Sequence, residues 1–248
     1  MKLTTVLMSA AAVAAVFAVF GFATAGAPAA PADPLTAGFR KTTVASVADA
    51  VDQVVGERGF LSHDMRPRVG GQMVGRAMTA LVRPAPPEKA TPQLSAKHVI
   101  ELIDNSKPGD VAVIVIEDGL DIAGIGGLMA TTAKSRNMAG VMVDGGVRDV
   151  AEIRALGLPV YSRSVTSATS VGRYASVSKQ TPVNCAGVLV KPGDIIVAGE
   201  DGVVRVPSER AAEVLKRAEE IDAREIKMVP YILKLKSLTK VVQMFNRL

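Results

Sequence analysis

The sequence is poor in the residues that build aromatic cores, disulfide frameworks and zinc sites. Trp is absent, aromatic residues make up 4% of the 248 residues, and there are one Cys and two His. A single Cys forms no intramolecular disulfide, and so few Cys and His residues argue against a structural zinc site. Cys185 is therefore expected to be a small buried hydrophobic residue rather than a nucleophile. Since 48% of the residues are hydrophobic, the core must be aliphatic, and the length suits one sizeable domain.

The charge pattern gives no support for a nucleic-acid partner. The chain has 29 basic and 24 acidic residues, a formal net charge of +5 that is spread along its length. No cluster of Lys and Arg is interleaved with aromatic residues, as nucleic-acid-binding surfaces commonly are. We therefore expect no nucleic acid among the partners.

The N-terminus has the features of an export signal. Lys2 is followed by an apolar run from about Val6 to Phe22 and by Ala23-Thr24-Ala25, which is typical of a secretory signal peptide and its cleavage site. The predicted organisation is a signal peptide at 1–25, an Ala/Pro-rich linker at 26–34 and an α/β domain at 35–248. This predicts a periplasmic or secreted protein. An uncleaved leader would instead anchor the protein in a membrane.

The centre of the chain alternates between strand and helix patterns, which predicts a parallel or mixed α/β core. Val111–Ile116 is a continuous apolar run bounded by turn residues, so it is expected to be buried on both faces. Further helices and strands then alternate: a helix from about Gly127 to Arg136, a strand at Val141–Val143, a helix from about Val150 to Leu156 and a strand at Pro159–Ser162. Earlier segments predict a helix within 35–65, a strand at Arg76–Val82 and a helix at Leu94–Asn105. Beyond Val171, a β-meander at 187–206 and a helix from Ser208 to about Ile221 are predicted.

A glycine-rich loop precedes the predicted helix at Gly127. Its Gly124-x-Gly126 pattern only partly matches a dinucleotide fingerprint, because Met129 takes the third glycine's position and the preceding strand ends as early as Ile116. Free amides at a helix start can also bind a carboxylate or a phosphate. The alternative is that the glycines simply allow close packing of helix on sheet.

The segment Val141-Met-Val-Asp-Gly-Gly-Val-Arg148-Asp149 predicts a buried strand, a glycine turn and an Arg-Asp pair at a helix start. A guanidinium beside a carboxylate suits an oxyanion together with a divalent metal. Asp at a helix start is also a common cap, which favours the helix dipole. Both interpretations stay open on these residues alone.

Together these two motifs resemble the RraA-like family, which includes regulators of ribonuclease activity A and 4-hydroxy-4-methyl-2-oxoglutarate aldolases. The resemblance runs from about Leu35 to the C-terminus, with further matches at Lys107-Pro-Gly-Asp110 and Asp201-Gly202-Val-Val-Arg-Val-Pro207. It implies a β/β/α sandwich of the swivelling-domain type, assembled as a trimer or hexamer with sites between subunits. It also implies a metal-dependent lyase that cleaves 4-hydroxy-2-oxo acids to pyruvate and can decarboxylate oxaloacetate.

The resemblance implies a role for each matched site residue. The amides from Gly126 through Gly127 and Leu128 to Met129 would hold the carboxylate of a 2-oxo acid substrate. Arg148 would bind the keto-acid end, and Asp149 would hold Mg²⁺ or Mn²⁺, so this pair carries the catalysis.

Two departures from the family pattern concern acidic positions. Gly127 stands where many aldolase members have an acidic or amide residue, and Gly199 replaces the first acid of the turn that contains Glu200 and Asp201. A carboxylate from a neighbouring subunit is expected as well, with Glu225 as the candidate.

Several other functions remain open at this stage. The chain could be a non-catalytic regulatory protein of the RraA type, or a non-catalytic protein that binds small acids. A Schiff-base aldolase that uses Lys134 or Lys191 is a further alternative, although no covalent adduct is expected.

Overall fold

A computed structural model describes residues 33–245. The predicted signal peptide at 1–25 and residues 26–32 of the predicted linker lie outside the described residues. Pro34, the last residue of that linker, is the first residue of a helix whose N-cap is Asp33. No helix among the described residues is both long enough and apolar enough to cross a membrane.

Eight α-helices, one short 3₁₀-helix (Ser208–Arg210) and eleven strands are found in the described part of the chain. The helices are α1 (Pro34–Phe39), α2 (Val44–Val55), α3 (Pro92–Ser95), α4 (Lys97–Asp104), α5 (Gly127–Ser135), α6 (Val150–Leu156), α7 (Ala211–Leu235) and α8 (Leu238–Phe245). The strands are β1 (Arg66–Val69), β2 (Met73–Pro84), β3 (Val111–Ile116), β4 (Ala123–Ile125), β5 (Gly140–Val147), β6 (Val160–Val165), β7 (Tyr174–Lys179), β8 (Val183–Cys185), β9 (Val188–Val190), β10 (Ile195–Gly199) and β11 (Gly202–Val206).

The main sheet is mixed. Its strand order is β1-β6-β5-β3-β2-β10-β11, with β4 beside the end of β5 and β7 beside β2. The pairs β2–β3, β3–β5, β5–β6 and β4–β5 are parallel, and the flanking pairs are antiparallel. All six residues of β3 are buried, as expected for a central strand covered on both faces.

Each face of the sheet has its own aliphatic cluster. Ala112, Ile114 and Ile116 of β3 point to the cluster formed with α4, α5 and α6. The alternate residues of β3, including Val113, join a second cluster with the two-stranded β8–β9 sheet. A third cluster packs α1, α2 and α7 against β10 and β11. The layers are thus sheet, sheet and helices, which confirms the predicted β/β/α sandwich.

Cys185 lies in the cluster under the β8–β9 sheet and is fully buried. Burial raises the pKa of its thiol well above the ordinary value, and the nearby Asp144 carboxylate raises it further. A thiol in this environment is a packing residue, as its isolation in the sequence predicts.

The predicted glycine turn within 144–146 is wrong. β5 continues through Gly145 and Gly146 to Val147. A Cβ at Gly146 would lie 2.8 Å from the Ile122 carbonyl oxygen, and one at Gly145 would lie 3.0 Å from that of Gly119. Neighbouring backbone approaches both glycines closely, and Gly145 also has a φ of 147° that favours glycine, but the chain does not reverse here.

Three further boundaries differ from the sequence predictions. The predicted meander is only a β10–β11 hairpin, because β9 pairs with β8 instead of β10. The helix expected at Leu94–Asn105 is divided into α3 and α4, with Ala96 between them in a non-helical conformation. α7 extends to Leu235 rather than ending near Ile221.

Candidate active site

The start of α5 offers backbone donors to a ligand. Gly126 precedes the helix in an extended conformation and contributes no side-chain cap. The Gly127 N–H donates to Oδ2 of Asp149 at 2.9 Å. The N–H groups of Leu128 and Met129 have no acceptor among residues 33–245, and the side chain of Leu128 is 88% exposed. Two amides at the positive end of a helix are thus available to an anion.

The two glycines at this helix start make room for charged side chains. A Cβ on Gly126 would lie 2.6 Å from Oδ2 of Asp149 and 3.0 Å from Nε of Arg148. A Cβ on Gly127 would meet the carboxylate of Glu152. A side chain at either position would displace these charged groups, which surround the first turn of α5.

The short strand β4, which the sequence pattern did not reveal, fixes the distance between the two motifs. β4 runs parallel to the end of β5, and the Arg148 N–H donates to the Ile125 carbonyl at 3.1 Å. Gly124 lies within β4, so the first glycine of the dinucleotide fingerprint belongs to a strand and not to the turn that should follow one. The third glycine position of that fingerprint is occupied by Met129.

Asp149 is held in a strained conformation that points its carboxylate away from its own helix. Its backbone is left-handed, with φ 58° and ψ 35°, and it makes no side-chain cap on α6. Such a conformation costs a non-glycine residue on the order of 1 kcal/mol or more and is common at functional sites. The carboxylate instead reaches the first amide of α5, so a simple cap of α6 is excluded.

Arg148 lies beside the carboxylate of Asp149, and the contact between them leaves other guanidinium donors available. Its Nε is 3.7 Å from Oδ2 of Asp149, and the two side chains are 43% and 38% exposed. An ion pair this long and this accessible is weak, so the remaining guanidinium donors can bind an incoming anion. The structure therefore brings together every site residue that the sequence predicted within one chain: the amides of residues 126–129, Arg148 and Asp149.

The oxygen donors here fit a hard divalent cation. Oδ1 of Asp149 makes no hydrogen bond to a described residue, and Glu152 adds a second carboxylate nearby. Mg²⁺ keeps several waters and commonly takes only one or two carboxylates plus substrate oxygens. No group of three or more His, Cys, Asp or Glu in the described range could enclose a metal, so the fit is to a cation that shares its coordination with water and substrate.

The two remaining positions that the family pattern singled out, Gly199 and Glu225, are distant in sequence from the start of α5. Gly199 is at the end of β10, where a Cβ would lie 2.9 Å from Cγ2 of Val44, so contact with α2 accounts for the glycine. Glu225 lies on α7 and is half-buried. Its contribution to a neighbouring subunit stays a prediction.

Elsewhere in the fold lies a cavity of about 950 Å³, and none of the predicted site residues lines it. Arg163 lines it and bridges Asp64 at 2.8 Å and Asp144 at 3.1 Å. Burial acts to raise the pKa of Asp64, but hydrogen bonds from Ser62 and Arg163 outweigh it and leave this pKa below its ordinary value. Asp144 also accepts the Ala186 N–H at 2.6 Å. These side chains are already paired with one another, so they hold this edge of the sheet together.

The fold and site define a mixed α/β sandwich that presents free helix amides, an arginine and a carboxylate at one helix start. The chain belongs to the RraA-like family, because the family model described as Aldolase/RraA matches residues 44–205.

Relatives agree with that assignment. A protein of Halalkalibacterium halodurans named "Putative 4-hydroxy-4-methyl-2-oxoglutarate aldolase" is 30% identical over 186 residues, which cover 75% of this chain and 82% of that protein. An uncharacterized protein of Methanocaldococcus jannaschii is 36% identical over 135 residues, which cover 54% of this chain and 64% of the relative. Streptomyces coelicolor RraAS2, titled an unusual member of the RNase ES inhibitor RraA family, superimposes with a TM-score of 0.69 at 24% identity over 82% of this chain and 98% of its own, which supports the fold.

Proposed function

We propose that this protein is a divalent-metal-dependent lyase that cleaves 4-hydroxy-2-oxo acids of the 4-hydroxy-4-methyl-2-oxoglutarate type to pyruvate, and that it also decarboxylates oxaloacetate. The observation that carries the proposal is the strained Asp149, whose carboxylate lies between the first amide of α5 and Arg148. The relatives named as aldolases support the same reaction class.

The reaction requires stabilisation of the negative charge that develops on the enolate of pyruvate. The C3–C4 bond of the substrate breaks, the C4 hydroxyl loses its proton to become a carbonyl, and the electron pair remains on C3 as the enolate of pyruvate. A proton added to C3 then completes pyruvate. Loss of CO₂ from oxaloacetate leaves the same enolate, so one site serves both reactions.

The residues of the site suit that charge. The N–H groups of Leu128 and Met129 would hold the substrate carboxylate, since they have no acceptor within the described residues. Arg148 would place a fixed positive charge beside the 2-oxo group, where negative charge develops. Asp149 would hold Mg²⁺ or Mn²⁺. When bound, such a cation supplies Lewis-acid polarisation of the 2-oxo acid.

The test is pyruvate release from 4-hydroxy-4-methyl-2-oxoglutarate and from oxaloacetate with Mg²⁺ or Mn²⁺, repeated after EDTA. We expect turnover that EDTA removes and added metal restores. Turnover of neither substrate by folded protein would refute the proposal.

Arg148→Ala tests the assignment of residues. Hydrogen bonds to charged groups contribute roughly 1.5–3 kcal/mol, so oxalate affinity should fall roughly 10- to 150-fold in calorimetry. Arg154→Ala is the matched control, because it removes an exposed arginine from α6, the helix that follows Arg148. Equal oxalate affinity in the two variants would show that Arg148 is not the anion-binding residue.

A non-catalytic protein that binds small acids is the second candidate. The observation in its favour is Gly127, which offers no side chain of its own to the reaction. Oxalate or pyruvate binding that depends on Arg148, without turnover of either substrate, would support this candidate over the lyase.

Export is proposed on the sequence of residues 1–25 alone. A periplasmic or secreted protein should lose that segment. Mass spectrometry of the mature protein would reveal a cleaved N-terminus, and an intact one would favour a membrane-anchored form.

A further inference from the structure

Glu152 fills the space that a side chain on residue 127 would occupy. A Cβ built on Gly127 would collide with Oε2 of Glu152 and would lie 3.5 Å from its Cδ and 3.6 Å from Cβ of Asp149. Gly127 has an ordinary helical backbone, so its conformation does not call for glycine, and a side chain there would displace Glu152. The carboxylate of Glu152 thus lies over the first residue of α5.

Asp149 and Glu152 reach this point from one turn of chain. Asp149 directly precedes α6, and Glu152 lies in the first turn of that helix. Asp149 approaches α5 through its bond to the Gly127 N–H. Two acidic side chains, one just before α6 and one in its first turn, therefore converge on the same residue of α5.

The Glu152 carboxylate makes no contact with a described residue that would explain it as a stabilising residue of the fold. Its side chain is exposed, and no hydrogen bond or ion pair joins its carboxylate to any residue in the range 33–245. The nearby Arg148 is associated with Asp149 instead. Two carboxylates near one another repel unless a cation lies close to both.

We propose that Glu152 is the second carboxylate of the site, and that it holds the divalent cation together with Asp149, directly or through a water. The inference rests on the proposed metal-dependent function and identifies the acid that Gly127 cannot provide. The acidic group comes from α6 and takes the place of a side chain on α5.

The experiment measures Mn²⁺ binding to the full chain without substrate, from the electron paramagnetic resonance signal of free Mn²⁺. Removing a group that supports a metal site commonly lowers affinity 10- to 100-fold, so Glu152→Ala and Glu152→Gln should each bind Mn²⁺ at least about tenfold more weakly. Glu219→Ala, which removes an exposed glutamate from α7 with the same change in charge, should bind as the native protein does.

A relocated carboxylate makes the test specific. The double variant Gly127→Asp with Glu152→Ala places a carboxylate on α5, in the space that Glu152 no longer occupies. Its Mn²⁺ affinity should return to within about threefold of native, which is less than the tenfold effect of losing a supporting group. Circular dichroism and urea unfolding would check that every variant is folded.

The outcomes separate the inference from the proposed function. Native-like Mn²⁺ affinity in Glu152→Ala, or a loss that the relocated carboxylate does not repair, overturns the role of Glu152 while native metal-dependent turnover stands. A native protein that neither binds Mn²⁺ nor releases pyruvate overturns both.

Discussion

Gly126→Ala should disable the site while leaving the fold intact. The added methyl would lie 2.6 Å from Oδ2 of Asp149 and 3.0 Å from Nε of Arg148, whereas ordinary contact begins at 3.4 Å. The carboxylate must therefore retreat by about 0.8 Å, the difference between 3.4 and 2.6 Å. A misplacement of about 1 Å can lower a rate about a hundredfold, so pyruvate release should fall roughly 30- to 100-fold.

The same substitution has a small expected cost in stability. The backbone of Gly126 has φ −138°, a value that alanine adopts freely. Exchanging glycine for alanine at an N-cap should lower the free energy of unfolding by about 1 kcal/mol. Urea unfolding followed by circular dichroism measures this, and a pyruvate-release assay measures the rate.

Gly70→Ala is the control, because a Cβ at Gly70 would meet nothing within 4 Å. It should keep native turnover. Undiminished pyruvate release by folded Gly126→Ala would refute the geometric argument. An equal loss of turnover in Gly70→Ala would show that any glycine-to-alanine change lowers activity, whatever its distance from the site.

Two more substitutions test Asp149 and a surface ion pair. Asp149→Asn should unfold at a urea concentration close to native, because Asn tolerates the left-handed backbone and can still accept the Gly127 N–H. Its metal-dependent turnover should nevertheless fall at least about tenfold for want of charge, and full turnover would remove Asp149 from the mechanism. Hydrogen bonds from Lys179 and then His98 lower the pKa of Glu101 from 4.5 to about 2. Because a lowered pKa stabilises the fold only while the group is ionised, this contribution should be complete above pH 4.5 and lost as the pH falls towards 2. Melting temperatures of Glu101→Gln should therefore change less over this range, and parallel curves would contradict the assignment.

Local patterns were enough to predict the central layer and where Arg148 and Asp149 lie in the fold. Val111–Ile116 is a strand because six consecutive apolar residues need cover on both faces, and the structure buries all six. The α5 helix begins at Gly127 as predicted and ends at Ser135, one residue before the predicted end. Arg148 and Asp149 follow a buried strand directly, so their place at its end could be inferred from neighbours in sequence.

The rest depended on contacts between distant segments. β4 has three residues and no periodicity, and it forms because β5 offers its edge. Gly145 and Gly146 have the composition of a turn, yet β5 continues through them because backbone from the preceding loop lies against it. β9 pairs with β8 rather than β10, and the apolar residues of both strands pack against the main sheet, a contact that local sequence does not reveal.

Glu152 shows why part of a site can escape sequence reading even when its neighbours do not. Within α6 it is an ordinary acidic residue in a first turn, where the helix dipole alone would favour it. Gly127 looks like the loss of an acid when α5 is considered alone. The two observations become one only when β4 sets α5 beside α6, because the space that Gly127 leaves is the space that the Glu152 carboxylate fills. A missing side chain on one helix and an unpaired one on its neighbour are therefore best judged together, and a relocated carboxylate tests them as a pair.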